Sequence, residues 1–125
     1  MVVWGAGGTS RAPLTTLCMG FADLGKELHA PHVPGRHNFA TAAQLCVLAA
    51  RAYGLSILDG VHLDLDEEEQ FEAECEQGMQ LGMDGKTLIH PKQIAAANRA
   101  FAPDAAEVER SRAMVSQPWF PSVAD

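Results

Sequence analysis

The segment that decides the fold reads Gly82-Met83-Asp84-Gly85-Lys86-Thr87-Leu88-Ile89-His90-Pro91-Lys92-Gln93-Ile94. Its central part, Met83–Ile89, is short and bounded by the turn-forming residues Gly82 and His90-Pro91, which is typical of a strand. Pro91 stands where a helix begins, because proline has no N–H to leave unbonded in the first turn. We therefore predict a strand over Met83–Ile89, a loop at His90 and a helix over Pro91–Phe101.

Two units of the same kind precede this segment. Leu14–Met19 is an apolar run closed by Gly20, and Leu55–Leu58 is an apolar run followed by Asp59-Gly60. Both are predicted strands, the second extended or followed by Val61–Leu65. The other predicted helices are Ala22–Leu28, Ala40–Tyr53, Glu67–Leu81 capped by Asp66, and a terminal helix from about Pro103 to Ser116. Strands that alternate with helices predict an α/β fold with a parallel sheet.

Two stretches between the strands have a distinctive composition. In the helix predicted over Ala40–Tyr53, three- and four-residue spacing predicts a buried face of Ala42, Leu45, Cys46, Ala49, Ala50 and Tyr53. Prolines and a glycine in His29–Asn38 predict a loop. Ligands bind at the carboxyl ends of parallel strands, so we expect the chemistry at Gly20–Asp23, Asp59-Gly60 and His90-Pro91.

Composition excludes several classes of function. The chain has 125 residues, 47% of them apolar and 20% charged, which suffices for one globular domain. Nine basic and sixteen acidic residues give a net charge of -7, so we expect no nucleic-acid partner. The longest apolar stretch is interrupted by Gln44 and Arg51, so we expect no membrane span. The start lacks a signal-peptide pattern and the three cysteines are scattered, so we expect a cytoplasmic protein.

The strand ends carry motifs of a known family. Residues 82–94, together with Asn98–Pro103, resemble the end of the barrel in the HpcH/HpaI aldolase and citrate lyase β-subunit family. Ile57–Val61 and Gly20–Leu24 resemble the two preceding strand ends of that family, in the same order. The CitE-like and malyl-CoA lyase branch is the most similar, since it has counterparts of Lys26-Glu27-Leu28 and Pro34-Gly35-Arg36.

The resemblance implies an incomplete TIM-type β/α barrel that comprises the last three strand–helix units and a terminal helix. The similarity runs from about Leu14 to Val115, whereas a complete barrel needs about 250 residues. We therefore expect a flexible leader over residues 1–13, the partial barrel over 14–116 and a loose tail over 117–125.

The resemblance also implies an enzyme that cleaves or forms a carbon–carbon bond beside a CoA thioester, with Mg²⁺ as cofactor. The implied substrate is a 3-hydroxyacyl-CoA such as malyl-CoA, or a citryl thioester, and relatives form trimers or hexamers. One Glu at the end of the fifth strand and one Asp at the end of the sixth hold the metal in this family. Asp23 stands at the position of that Asp, while the Glu and a substrate-binding Arg belong to the preceding strands.

Further candidate residues follow from the same resemblance, each with a structural alternative. Asp59 is a substrate-binding residue or part of an Asp-Gly turn. His90 faces the substrate or caps the helix that follows it. Asp23 itself could cap a helix instead of binding a metal ion. In relatives the positions of Lys86, Pro91 and Gln93 lie near CoA.

Two other functions remain as alternatives. The first is a non-catalytic remnant or interaction module that folds only in association with a partner, because three parallel strands leave two open sheet edges. The second is a small α/β domain that binds a nucleotide-containing ligand. A zinc site is not favoured, because His29, His32 and His37 lie in a proline-broken loop without a nearby cysteine.

Overall fold

The computed structural model describes residues 14–117, which contain a three-stranded parallel sheet and five α-helices. The strands are β1 (Thr16–Cys18), β2 (Ser56–Asp59) and β3 (Gly85–Lys86), and they lie side by side in chain order. The helices are α1 (Phe21–Glu27), α2 (Ala40–Ala52), α3 (Glu68–Gln80), α4 (Ile94–Phe101) and α5 (Ala105–Val115). The predicted α/β class and parallel sheet are confirmed.

The strand register brings the loops after the strands to one edge of the sheet. Leu17 pairs with Ile57, and Leu58 pairs with Gly85, so all three strands end at about the same level. Pairing continues past the strand ends, since Met19 N donates to Leu58 O at 2.9 Å and Thr87 N donates to Asp59 O at 3.0 Å. The residues that begin the loops are therefore anchored by the sheet.

The core lies between the sheet and the helices. Successive side chains of a strand point to opposite faces. In β2, Ile57 and Asp59 are fully buried on the helix side, whereas Leu58 between them is half-buried. The main cluster comprises Leu17, Met19, Phe21, Phe39, Ala43, Val47, Ala50, Ile57 and Met83. A second cluster between α3 and α4 comprises Phe71, Cys75, Ala96 and Ala97.

The buried face of α2 differs from the predicted face. Ala43, Val47 and Ala50 are buried against the sheet, while Leu45 and Tyr53 are 61% and 81% exposed. Apolar residues occupy nearly every side of this helix, so their spacing alone does not define one stripe. Small alanines face the sheet because they allow the close approach of helix and strands.

The ends of several elements also differ from the prediction. The third strand is Gly85–Lys86 and not Met83–Ile89, because the N–H groups of Ile89 and His90 bind the Gln93 side chain and not β2. The predicted loop His29–Asn38 overlaps a 3₁₀-helical segment, Pro34–Phe39. The predicted helix at Pro91 begins as a 3₁₀ turn, Pro91–Gln93, and continues as α4.

The prediction that Asp66 caps α3 was wrong. Glu67 holds the capping position without a side-chain hydrogen bond, and the Asp66 N–H donates to Asp64 Oδ1 at 2.9 Å. That local turn uses the Asp66 backbone just before the helix begins.

The leader predicted over residues 1–13 lies outside the described residues, as does the predicted tail after residue 117. Within residues 14–117, no helix is both long and apolar enough to cross a membrane.

Asp84, just before β3, ties that strand to β2 and α2. Its carboxylate accepts hydrogen bonds from Ile57 N at 2.7 Å and from Arg51 Nη1 and Nη2 at 3.0 and 2.8 Å. The Arg51 side chain and the Ile57 N–H hold the pKa of Asp84 below its usual range. The folded state therefore favours the ionised form of Asp84.

Gly60→Ala should destabilise the fold, because an added Cβ would lie 2.7 Å from Met19 O and 2.9 Å from the Phe21 ring. We expect a loss of about 1–3 kcal/mol in the free energy of unfolding, measured in urea. Ser56→Ala, at an exposed position of β2, is the control and should change stability by less than about 0.5 kcal/mol. Equal stability of the two variants would contradict the close packing at Gly60.

Asp84→Asn should flatten the acid dependence of stability. Because the pKa of Asp84 is lower in the folded state, its contribution is present above about pH 4 and is lost as the pH falls through the folded value. Urea unfolding between about pH 6 and pH 3 should show a steeper loss for the wild type than for the variant. The difference is modest, since Arg51 and Asp84 are 47% and 38% exposed. If the stability of the two proteins fell equally with pH, the pKa of Asp84 would not be lowered in the folded state.

Candidate functional site

A pocket of about 560 Å³ opens at the carboxyl ends of β1 and β2. Its wall is formed by the β1–α1 loop, the turn at Pro34, the loop after β2 and one side of α3. The polar residues that line it include Asp23, Arg36, His62, Glu74 and Thr87. A smaller pocket of about 360 Å³ lies beside the start of α3, and four of the nine residues that line it are exposed acidic residues. Because the larger pocket borders buried charges, it is the candidate site.

Asp59 is the centre of the buried charges. Its carboxylate is fully buried and receives Arg36 Nη1 on Oδ1 at 2.8 Å and Arg36 Nη2 on Oδ2 at 3.1 Å. Lys86 Nζ lies 2.8 Å from Oδ2, and the Gly60 N–H donates to Oδ1 at 2.8 Å. Four donors thus satisfy a carboxylate at the end of β2, and a bidentate arginine pair fixes its orientation.

Glu74 on α3 completes the group of charges. Its Oε2 lies 3.3 Å from Lys86 Nζ, 3.1 Å from His62 Nδ1 and 3.9 Å from Arg36 Nη1. With Asp59, it balances the two cations Arg36 and Lys86. We call these four residues and His62 the charge cluster. Because buried charges must be compensated, this balance allows all four ions to lie beneath the pocket.

Arg36 reaches the cluster through an unusual backbone conformation. Gly35 and Arg36 have φ values of 74° and 47°, in the left-handed region that a residue with a side chain adopts at a cost of about 1–2 kcal/mol. The guanidinium compensates this cost by donating to Gln77 Oε1 at 3.0 Å and to Glu74 O at 3.1 Å. It also lies 4.7 Å above the centre of the Phe21 ring.

His62 links the cluster to the loop after β2. Its Nδ1 contacts Glu74, while within the described residues its buried Nε2 has no hydrogen-bond partner. The His62 carbonyl oxygen accepts from Gln93 Nε2 at 3.1 Å. Gln93 Oε1 in turn accepts from the N–H groups of Ile89 and His90, so this buried amide joins two of the loops at the site.

Asp23 lies in the first turn of α1, exposed, and lines the pocket. Asp23 does not cap that helix: the N-cap residue is Gly20, and no side-chain hydrogen bond caps the start of α1. A carboxylate oxygen suits Mg²⁺, which often takes one or two carboxylates and completes its shell with water and substrate oxygens. Asp23 fits that role as one ligand, and residues 14–117 contain no group of three or more acidic, histidine or cysteine side chains placed to hold a metal ion.

The other predicted site residues lie in two places. Asp59 and Lys86 are brought together beneath the pocket, where both side chains have no exposed surface. His90 and Pro91 lie outside the pocket wall, at the turn into α4. There the His90 Nδ1 accepts from Lys92 N at 3.1 Å, which is the capping alternative considered from the sequence.

Three residues of the site, Arg36, His62 and Glu74, were not predicted from the sequence as functional residues. A signal for Glu74 was available, because it follows Phe71 by three residues and precedes Gly78 by four on the buried side of α3. A charged residue on an apolar face requires a partner. For Arg36 and His62 the contacts depend on loop conformation, which spacing does not reveal.

The cysteines show no arrangement for nucleophilic catalysis. Burial raises the pKa of the Cys75 thiol, which lies in the second core cluster. Cys18 lines the pocket with its Sγ 3.9 Å from Thr87 Oγ1. The environment of Cys75 therefore disfavours the thiolate that a reactive cysteine requires.

Parallel strands with a charged pocket at their carboxyl ends define an α/β protein whose site is built from strand-end loops. Comparison with known families identifies the group: the model described as HpcH/HpaI aldolase/citrate lyase matches residues 9–91. The chain belongs to the HpcH/HpaI aldolase/citrate lyase family. The resemblance found in the sequence is thereby confirmed.

Individual relatives agree with this assignment. A (3S)-malyl-CoA thioesterase of Cereibacter sphaeroides is 48% identical over 103 residues, which are 82% of this chain and 36% of the relative. A citrate lyase subunit beta-like protein of Deinococcus radiodurans is 36% identical over 114 residues, 90% of this chain and 40% of the relative. The chain therefore spans about two fifths or less of the length of these relatives.

A solved structure also matches the fold. It is that of protein CitE from Mycobacterium tuberculosis in complex with magnesium, acetoacetate and coenzyme A, with 28% identity and a TM-score of 0.63. The match covers 78% of this chain and 39% of that chain. The three-stranded parallel sheet and its helices are therefore an arrangement found in CitE.

Asp59→Asn should destabilise the protein strongly, because it leaves the buried Arg36 and Lys86 opposite a single carboxylate. We expect a loss of about 3–5 kcal/mol in the free energy of unfolding in urea. The same chemical change at exposed Asp66, whose carboxylate accepts no hydrogen bond from the described residues, should be nearly neutral. If both variants unfolded at the same urea concentration, the charge cluster would not contribute to stability as described.

Proposed function

We propose that the chain forms part of a magnesium-dependent CoA-ester lyase of the citrate lyase β-subunit type. Its three strand–helix units would be the last three of an eight-unit β/α barrel. The substrate would be a 3-hydroxyacyl-CoA such as malyl-CoA, or a citryl thioester. Retro-aldol cleavage would give an oxo acid and an acyl-CoA.

One observation carries this proposal: Asp23 lines the larger pocket at the carboxyl edge of the sheet. In barrels and open α/β sheets this edge is where ligands bind. Asp23 also occupies the motif position of the metal-binding Asp in the family. The CitE structure contains magnesium and coenzyme A, which supports the same classes of ligand for this chain.

Mg²⁺ at Asp23 would withdraw electrons from substrate oxygens and so favour formation of an enolate. The chain's own contribution is to orient the substrate. Arg36 at the pocket wall offers a hydrogen-bond donor to an acyl group, whereas the Thr87 hydroxyl already donates to Asp59 O at 2.9 Å. Asp59 and Lys86 would act from beneath, by holding Arg36 and Glu74 at the wall.

The CoA part of the substrate would extend toward the end of β3. We propose His90 and Pro91 as contacts there, mainly through backbone groups, since the His90 Nδ1 is engaged by Lys92 N. The three cysteines are free, which supports a reducing compartment such as the cytoplasm.

A second candidate function is that of an interaction module that folds or acts by association. The observation in its favour is a set of exposed apolar side chains on α2 and at its C-cap: Leu45, Leu48 and Tyr53 are 61%, 66% and 81% exposed. Strands β1 and β3 also have unpaired edges within the described sheet. A homo-oligomer would cover such surfaces in either function.

Asp23→Asn should remove the effect of magnesium on substrate binding. We expect the wild-type chain to bind malyl-CoA about tenfold or more tightly with Mg²⁺ than with EDTA, as measured by titration calorimetry. In the variant the two affinities should be equal. The control Asp66→Asn should retain the wild-type difference, because Asp66 lies outside the larger pocket.

The same titration distinguishes the two candidate functions. Wild-type chain that binds no malyl-CoA under either condition would contradict the lyase proposal. If such a chain sediments as a concentration-dependent oligomer, the interaction module is favoured.

A further inference from the structure

One side of α2 carries side chains that the other described residues leave uncovered. Thr41, Leu45, Leu48 and Ala52 are all exposed, the two leucines by 61% and 66%. We call these four residues the outer stripe. They are separated by four, three and four positions, which is the spacing that aligns side chains along one side of a helix. The outer stripe is therefore one continuous surface.

The outer stripe points away from the sheet. Leu45 lies two positions from both Ala43 and Val47, which are buried, and two positions along an α-helix correspond to a rotation of about 200°. Leu48 likewise lies two positions before the buried Ala50. In a β/α barrel the helices form the outer ring, so further strand–helix units would pack beside α2 and leave this side open. A molecule that covers the stripe therefore comes from outside the barrel.

The outer stripe is uncharged, although the chain is acidic. Residues 40–50 contain no Asp, Glu, Lys or Arg, and the charged residue that follows, Arg51, pairs with Asp84 of the same chain at 2.8 Å. The net charge of -7 makes two copies of the chain repel each other in general. On the outer stripe two copies can meet without that repulsion, whereas a basic partner would find no acidic group there.

The order of side-chain sizes along the outer stripe is the same in both directions. It reads small, leucine, leucine, small from Thr41 to Ala52. Two copies related by a two-fold axis require such a surface, because residue i contacts residue j and j contacts i. In an antiparallel pair of α2 helices, Leu45 lies opposite Leu48 of the second copy, and Thr41 lies opposite Ala52. Four leucines then pack at the centre, and the small residues at the ends allow the helix axes to approach to about 8–10 Å.

We propose that the outer stripe of α2 binds a second copy of this chain, with the two helices antiparallel about a two-fold axis. The inference is independent of the catalytic proposal, because no residue of the stripe lines the larger pocket. The 13 residues of α2 span about 20 Å, so the contact lies at the small end of specific interfaces. We therefore expect a reversible dimer with a Kd in the micromolar range.

Sedimentation equilibrium tests this proposal. The wild-type chain should change from monomer to dimer over concentrations of about 1–500 µM. Leu45→Lys should weaken the dimer about tenfold or more, because it places a charge between the copies. The same substitution makes the acidic chain less negative, so an effect of overall charge would strengthen association instead. The direction of the change thus separates the two causes.

Leu28→Lys is the matched control, because Leu28 is 55% exposed and lies at the end of α1. It makes the same change in charge and should leave the dimer as in the wild type. A wild-type chain that stays monomeric throughout the range would overturn the proposal and leave residues 1–13 or an unlike protein as the occupant of the stripe. An assembly that Leu45→Lys does not weaken, such as one formed through the sheet edges, would also overturn it.

Cysteine cross-linking tests the antiparallel arrangement. A mixture of Thr41→Cys and Ala52→Cys variants should form an oxidised dimer faster than either variant alone, because the two copies of Thr41 lie about 16 Å apart along the axes. The wild-type chain gives the background from its three native cysteines. Faster cross-linking of each variant with itself than in the mixture would indicate a parallel pair and overturn the proposed geometry.

Discussion

The bidentate ion pair between Arg36 and Asp59 is the contact on which the rest of the site depends. Asp59 ends the central strand, and its fully buried carboxylate also binds Lys86 on the neighbouring strand. Arg36 comes from the turn that precedes α2 and contacts α3 through Gln77 and the Glu74 carbonyl. One carboxylate thus joins two strands, a loop and a helix that are far apart in sequence.

The cluster also explains the shape of the pocket wall. Arg36 adopts a left-handed backbone conformation that is unfavourable by itself, and its buried hydrogen bonds hold it there. Lys86 balances the charge of Glu74, and the same Glu74 carboxylate contacts His62 Nδ1 and so holds the His62 ring in place. A buried ion pair adds little net stability relative to apolar packing, so its contribution here is a unique arrangement of the loops. We infer that this arrangement presents defined donors and acceptors to a ligand.

Much of the fold could be predicted from the sequence, for physical reasons that are local. Short apolar runs predicted β1 and β2, the bounded stretch Met83–Ile89 predicted β3, and the proline-containing turn at His90 predicted the helix that continues as α4. The prediction for α2 was wrong at Leu45 and Tyr53, because an alanine-rich helix is apolar on every side. The predicted end of β3 at Ile89 was also wrong, because the Ile89 N–H donates to the Gln93 side chain and not to the neighbouring strand.

The candidate site was predictable only in part. Motif similarity brought Asp23, Asp59 and Lys86 into view, and the structure places Asp23 at the pocket and the other two beneath it. The contacts of Arg36 with Asp59 join residues 23 positions apart, through a backbone conformation that residue type does not predict. The contact between His62 and Glu74 likewise depends on the conformation of a loop. Long-range electrostatic contacts are thus what sequence patterns left out.

A double-mutant cycle on Arg36 and Asp59 tests the central claim most directly. Arg36→Met leaves two buried carboxylates opposite one cation, and Asp59→Leu leaves two cations opposite one carboxylate, whereas the double variant retains the balanced Lys86–Glu74 pair. The account predicts that urea unfolding will show the double variant to be more stable than either single variant. Losses that simply add would contradict it, because the two side chains would then act independently.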